Sequence, residues 1–94
     1  MADNRRVTAY QGCEYVGDTD ARTSKIYYAF IAQEDTVVAT LTGGLSSTTD
    51  NSTNYLTSIG LSGKTLKQGA LIVAPEGEVF KSLTLTSGSI IAYK

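Results

Sequence analysis

Short runs rich in Thr, Tyr, Val and Ile, each closed by a cluster of Gly, Ser, Asp or Asn, succeed one another along the chain. The clusters recur roughly every 8–12 residues, the rhythm of a sandwich or barrel in which each strand turns back toward its neighbours. No stretch of about a dozen residues places apolar side chains at the spacing an amphipathic helix needs. Thr and Ser together make 22 of the 94 residues, and Thr and Tyr both suit a pleated, half-buried surface. The chain therefore reads as an all-β fold, a small sandwich or jelly-roll-like barrel with mostly antiparallel strands. Ninety-four residues make a single domain, 1–94. A domain of this size buries only about 60–65% of its unfolded surface, so without disulfides or metals oligomerisation is the expected source of added stability.

The segments can be placed in order. Val7–Gln11 opens a first strand, which Gly12–Val16 continues or pairs with, and Gly17–Asp20 is a turn. Lys25–Ala32 is the most apolar strand and is expected at the centre of a sheet. After a turn at Gln33–Asp35, Thr36–Thr42 is expected to fold back on it as the other arm of a hairpin and to end at Gly43–Gly44. Residues 45–54 include an unbroken polar run from Ser46 to Asn54, which burial cannot compensate for the entropy of ordering, so a long exposed loop is expected. Tyr55–Leu61 re-enters the fold and Gly63–Thr65 turns it. Ala70–Ala74 is expected as a buried strand stopped by Pro75. Val79–Thr86 alternates Leu83 and Leu85 with Thr84 and Thr86 at a period of two, and Ser87–Gly88 turns into a last strand, Ser89–Tyr93.

Missing residue types exclude much chemistry. The chain has no His, no Trp and one Cys. Nucleophile systems built on an imidazole cannot be assembled without His, and a structural zinc site would be three ligands short. Cys13 has no partner in its own chain, which excludes an intrachain disulfide; the expectation is a buried, inert thiol, with pairing between chains as the alternative. Ser62–Thr65 contains the Gly-Lys-Thr that closes a phosphate-binding loop, but the earlier glycine that loop needs is replaced by Ser58, so a lysine-tipped turn is expected. Asp18/Asp20 and Glu76/Glu78 each space two carboxylates by one residue, which on a strand would put them on one face, and in a turn leaves them solvated. No cofactor and no enzymatic activity are expected.

Eight basic residues against nine acidic ones give a net charge of −1. That is the wrong balance for a nucleic-acid partner, which selects for a basic surface. The one adjacent basic pair, Arg5 and Arg6, lies on residues 1–6, expected to be a flexible arm able to clamp an acidic partner surface. No apolar segment follows the polar start, and the longest apolar run, Ala70–Ala74, is far too short to cross a bilayer, so synthesis in a cytoplasm without a signal peptide and no membrane partner are expected. Six tyrosines are many for this length. Tyrosines in small β domains cap the core or pack at interfaces. Tyr27 and Tyr28 are adjacent and must face opposite ways on a strand, one toward the core and one toward an interface. Together with Arg5, Arg6 and Tyr55 they are the candidate partner-binding residues.

Leu66-Lys67-Gln68-Gly69 and then Val79 through Tyr93, with Phe80, the alternating Thr/Leu strand, Ser87-Gly88 and a closing aliphatic strand ending in Tyr, resemble the end of small β-domain structural proteins of tailed-phage virions. The resemblance covers the last quarter to third of the chain. It implies a virion component: a decoration (cement) protein, a head fibre or a small head–tail piece. It implies localisation in the virion, the major capsid protein or a neighbouring virion protein as partner, and a homo-oligomer, a trimer first. It carries over no catalytic residue. A carbohydrate- or receptor-binding module of a tail tip or adhesin is the alternative, and it requires exposed tyrosines in a cluster.

Overall fold

The computed structural model describes residues 12–94, so the strand expected at Val7–Gln11 and the arm at residues 1–6 lie outside the described residues. The fold is all-β and mostly antiparallel, with two sheets forming a small sandwich. The first contains β1 (Cys13–Val16), β2 (Ala29–Ala32), β6 (Leu71–Val73) and β8 (Ile90–Tyr93), in the order β1-β8-β2-β6. The second is built on two long strands, β3 (Thr36–Leu45) and β7 (Glu78–Ser87). Short β4 (Thr53–Asn54) and β5 (Thr65–Leu66) flank β3 on its other side. A one-turn helix, α1 (Tyr55–Ser58), follows β4; the Asn54 side chain caps it by accepting from the Leu56 amide at 3.0 Å.

Between the sheets lie Val16, Phe30, Ala32, Ile90 and Ala92 from the first and Val38, Leu41, Phe80, Leu83 and Leu85 from the second. The rings of Phe30 and Phe80 meet with centroids 5.7 Å apart, and Tyr55 sets its ring edge-on to Phe80 at 5.0 Å. The alternation expected over Val79–Thr86 holds from Ser82 onward, where Leu83 and Leu85 point inward opposite Leu41 and Val38 and Thr84 faces out opposite Thr40, whereas Val79, Phe80 and Lys81 are buried in succession.

The expected hairpin between Lys25–Ala32 and Thr36–Thr42 is corrected. The turn at Gln33–Asp35 exists, but it carries the chain from one sheet to the other, since β2 pairs with β6 and β8 whereas β3 pairs with β4, β5 and β7. Lys25–Ala32 is itself divided. Lys25 and Tyr27 bond to Lys81 and Phe80 of the second sheet, and from Tyr28, whose amide donates to the Tyr93 carbonyl at 2.8 Å, the chain belongs to the first. A strand that changes sheet makes a corner of the sandwich, and apolar periodicity does not reveal a change of partner. β2 is an inner strand, as expected.

Gly43 and Gly44 do not end β3, which runs on to Leu45. A Cβ on Gly43 would lie 2.0 Å from the Val79 carbonyl oxygen, so the glycine is there to let two backbones approach rather than to turn. The register of β3 against β7 shifts at this point: Thr42 faces Ser82 and Gly43 faces Phe80, leaving Lys81 as the extra, bulged residue.

The bulge aims the Lys81 side chain at the loop after β3. Its ammonium donates to the carbonyl oxygens of Leu45 (3.0 Å), Thr48 (2.7 Å) and Asp50 (2.6 Å), one acceptor for each of its three donors. The Asp50 carboxylate accepts from the Ser52 amide and hydroxyl, and Asn51 bridges Thr42 and Ser82 at 2.9 Å on each side. The loop is exposed, as its polar sequence predicts, but it is shorter than residues 45–54, because Leu45 belongs to β3 and Thr53 and Asn54 to β4. Hydrogen bonds supply the anchoring that hydrophobic burial cannot.

Candidate interaction surface

The outer side of the first sheet is the most unusual surface among the described residues. Successive side chains on a strand alternate faces, and directly paired residues share one. With Phe30, Ala32, Ile90, Ala92 and Val16 inside, the register fixes what lies outside. One row across the four strands reads Cys13, Tyr93, Ala29, Val73, and the next reads Tyr15, Ile91, Ile31, Leu71. All eight are apolar or amphipathic, and neither row holds a charge. Tyr15, Leu71 and Val73 are 61%, 56% and 57% exposed, while Ile31, Ile91 and Tyr93 are half-buried by their neighbours. The Tyr15 ring folds along its own strand over Gly17, where a Cβ would come within 2.5 Å of it.

Two expectations are corrected by this face. Ala70–Ala74 is not a buried strand: β6 is an edge of the first sheet, with Ala70, Ile72 and Ala74 partly buried against the core and Leu71 and Val73 exposed. Cys13 is exposed rather than buried: among the described residues β1 is the opposite edge, and Cys13 sits on its outer side. A short apolar run reports that a strand has apolar faces, not whether anything in the same chain covers them.

Of the tyrosine candidates, Tyr27 and Tyr28 divide as expected, Tyr27 fully buried and Tyr28 exposed. Tyr55 is buried under Phe80, with its hydroxyl donating to Glu78 at 2.6 Å; burial, then the bond and the Glu78 charge, push its pKa well up. Neither Tyr27 nor Tyr55 presents a surface to a partner. Arg5 and Arg6 lie outside the described residues. Tyr15 and Tyr93, missed as interface candidates, could have been found from their alternation with Glu14–Val16 and Ala92.

Beside the sheet corner, Glu14 gathers cations: Arg22 Nε at 3.2 Å, Lys25 Nζ at 3.3 Å and Lys94 Nζ at 3.7 Å. Burial alone would raise the Glu14 pKa, but the Tyr27 hydroxyl and the Lys25 and Arg22 side chains outweigh it and hold the carboxyl below its ordinary range. The Tyr27 hydroxyl lies toward this carboxylate without meeting an acceptor at good geometry, the one such buried side-chain atom among the described residues; desolvation, then Glu14, push its pKa strongly up. Arg22 also reaches Asp18 at 3.0 Å.

Between the corner and the Lys81-anchored loop runs a cleft of about 300 Å³ walled by Ser24, Lys25, Ile26, Thr48, Thr49 and Asn51. Ser24 adopts a left-handed conformation with φ of 56°, which costs a non-glycine residue about 1 kcal/mol. Tyr28 and Ile26 continue its apolar side toward Lys94. Lys64 tips a turn after Gly63, with its amide bonded back to Leu61. The two acidic pairs are divided by their contacts, Asp18 to Arg22 and Glu78 to Tyr55, and no group of three possible metal ligands forms among the described residues. No described helix is long and apolar enough to cross a membrane. No protein-family model, no curated protein and no solved structure matches the chain.

Proposed function

We propose that this protein is a non-enzymatic structural component of a tailed-phage virion, a decoration or cement protein that bridges coat subunits. The observation that carries this reading is the uncharged outer face of the first sheet. Soluble monomers seldom expose contiguous apolar patches beyond a few hundred Å², and larger ones mark surfaces that a partner covers. The C-terminal segment behind the resemblance forms β7 and β8, which supply Phe80, Leu83, Leu85, Ile90 and Ala92 to the core. In this reading the major capsid protein is the partner, assembly completes what a thin core leaves exposed, and Arg5 and Arg6 strap the seam.

Quantitative mass spectrometry of purified virions, scoring this chain against the major coat protein, tests the proposal. A copy number comparable to the coat protein is the expected result. A few copies per particle would move the protein to a neck or tail position, and absence from the particle would overturn the virion reading.

The cleft beside Ser24 favours a second reading, a carbohydrate-binding module. Hydroxyl and amide groups from Ser24, Thr48, Thr49 and Asn51 with an apolar wall of Ile26 and Tyr28 are the elements that hold a sugar. Binding on a glycan array that is lost in Asn51→Ala and Tyr28→Ala would place this reading first.

A further inference from the structure

We infer that the cleft beside Ser24 takes an acidic saccharide, whose carboxylate or sulfate is held by Lys25 and Lys94 while its ring lies on Ile26 and Tyr28. The inference rests on the second reading above, in which this cleft holds a sugar, and adds the charge that the sugar must carry.

The charge of the cleft selects an anion. The space of about 300 Å³ beside the Lys81-anchored loop meets, at Ser24, Lys25 and Ile26, a more open one of about 510 Å³ that Tyr28 and Lys94 complete. Every charged side chain lining the two spaces is a lysine: Lys25, Lys81 and Lys94. The lining holds none of the nine acidic residues, although the chain as a whole carries a net charge of −1. A cleft walled by one sign of charge focuses its field and concentrates ligands of the opposite sign.

The three lysines differ in what they have left to give. Lys81 spends its donors on the Leu45, Thr48 and Asp50 carbonyls and contributes charge alone. Lys25 and Lys94 lean on the same oxygen, Glu14 Oε1, at 3.3 and 3.7 Å, while Arg22 takes Glu14 Oε2 and reaches Asp18. Three cations thus face two carboxylates, a surplus of positive charge. An ammonium has three N–H donors, so sharing one oxygen leaves Lys25 and Lys94 able to grip a second acceptor. Their side chains are 34% and 37% exposed, which lets a ligand reach them. Glu14 senses the same field: burial would raise its pKa, yet the Tyr27 hydroxyl with Lys25 and Arg22 holds it below the ordinary range.

The rest of the lining selects a sugar over a bare anion. Ile26 and Tyr28 flank the buried Tyr27 and are 53% and 41% exposed, an apolar strip beside the cations on which the C–H face of a pyranose can lie. A free sulfate or phosphate would use the lysines and leave this strip uncovered. Across the cleft Thr48 and Asn51 are engaged by the loop and by Thr42 and Ser82, so Ser24, Ser46 and Thr49 are the hydroxyls left to meet those of the sugar. Ser24 sits where the two spaces meet, in its left-handed conformation. Arg22 and Lys25 on either side of it bond to Leu83 and Lys81, three steps along one chain against two along the other, so the chain bulges here. Strained positions of this kind gather at ligand clamps.

A glycan array probed with the full chain tests this through pairs matched except in charge. Sialyllactose and trigalacturonate are each printed beside their methyl esters, and a chondroitin disaccharide is printed with and without sulfate. The expected result is an acidic saccharide bound at least about 10-fold more tightly than its neutral twin, as titration calorimetry measures it, with the advantage shrinking in about 0.5 M salt. Lys25→Met and Lys94→Met should each remove most of that advantage, and Lys64→Met, an equal loss of charge on the turn after Gly63, should remove none. The comparison of twins uses the unaltered chain, so it stands even where a variant fails to fold. Equal binding of acidic and neutral twins overturns the inference and leaves the sugar reading intact, whereas no binding to any saccharide overturns both. An advantage that both cleft variants keep, or that Lys64→Met loses equally, overturns it too. So does displacement of the saccharide by an equal concentration of sodium sulfate, which would make this a site for a small anion. The virion reading is untouched by these outcomes and is decided by mass spectrometry.

Discussion

The two sheets obey the same alternation and put opposite chemistry on their outer sides. The long β3–β7 ladder turns Thr40 and Thr84, and Thr42 and Ser82, outward as facing polar pairs, and Asn51 bonds to the latter two. The short strands of the first sheet turn out Tyr15, Ile31, Leu71, Val73, Ile91 and Tyr93. The second sheet is therefore finished within one chain, its outer face hydrated and its loop pinned by Lys81. The first leaves an uncharged outer face among the described residues. The difference teaches that inward positions keep the fold and outward positions record what the fold must meet.

The largest effect falls where the two sheets depend on each other. Phe80 is fully buried between Phe30 of the first sheet and Tyr55 beside the second. Phe80→Ala should cost about 3–5 kcal/mol, a large part of the stability of a domain this small. Denaturant titration followed by tyrosine fluorescence and by far-ultraviolet circular dichroism should show both sheets lost together. A first sheet that survived the loss of the second would break the comparison, making them separate folding units.

Next come two changes that act on the second sheet alone. Gly43→Ala places a methyl carbon against the Val79 carbonyl and must push β3 from β7, at a cost of about 2–3 kcal/mol by chemical denaturation. Lys81→Met keeps the stem and removes the ammonium from the Leu45, Thr48 and Asp50 carbonyls. Water can reach these part-buried groups at the loop, so the loss should be about 1–2 kcal/mol, and hydrogen exchange at the Thr48 and Ser52 amides should accelerate while β8 amides stay protected. Equal acceleration in β8 would show that the pinning serves both sheets.

Much of this contrast could be read in the sequence, and the unread part has a physical cause. Val79–Thr86 displays its inward Leu and outward Thr because water covers one side and the core the other. Ala70–Ala74 shows no such alternation, being apolar on both sides, and reads as buried although its strand is an edge. Cys13 reads as buried because free thiols usually are, and the outer side of a strand leaves it exposed. The change of sheet between Tyr27 and Tyr28 leaves no trace in periodicity, since it concerns which strand is paired and not which residues are apolar. Lys81 was legible only as a lone cation within a Thr/Leu strand. Its purpose depends on a bulge that arises from pairing with Gly43, far away in the chain.

The smallest effect sharpens the comparison from the side of the first sheet. Glu14 on edge strand β1 ties that sheet to the corner through Arg22, Lys25 and Lys94, and these cations with the Tyr27 hydroxyl hold its pKa below the ordinary 4.5. A carboxyl with a lowered folded-state pKa binds a proton more readily when unfolded, so its contribution is present above the unfolded value and disappears as pH falls through the lowered folded value. The side chain is partly exposed, which limits the contribution to about 1 kcal/mol or less. Glu14→Gln should therefore be less stable than the parent chain at pH 7, and the two should converge as acid titrates Glu14 in the parent. A gap unchanged between pH 7 and pH 3 would mean that Glu14 acts by packing and hydrogen bonding rather than by charge. The edge of the first sheet would then be held, like the loop of the second, by geometry alone.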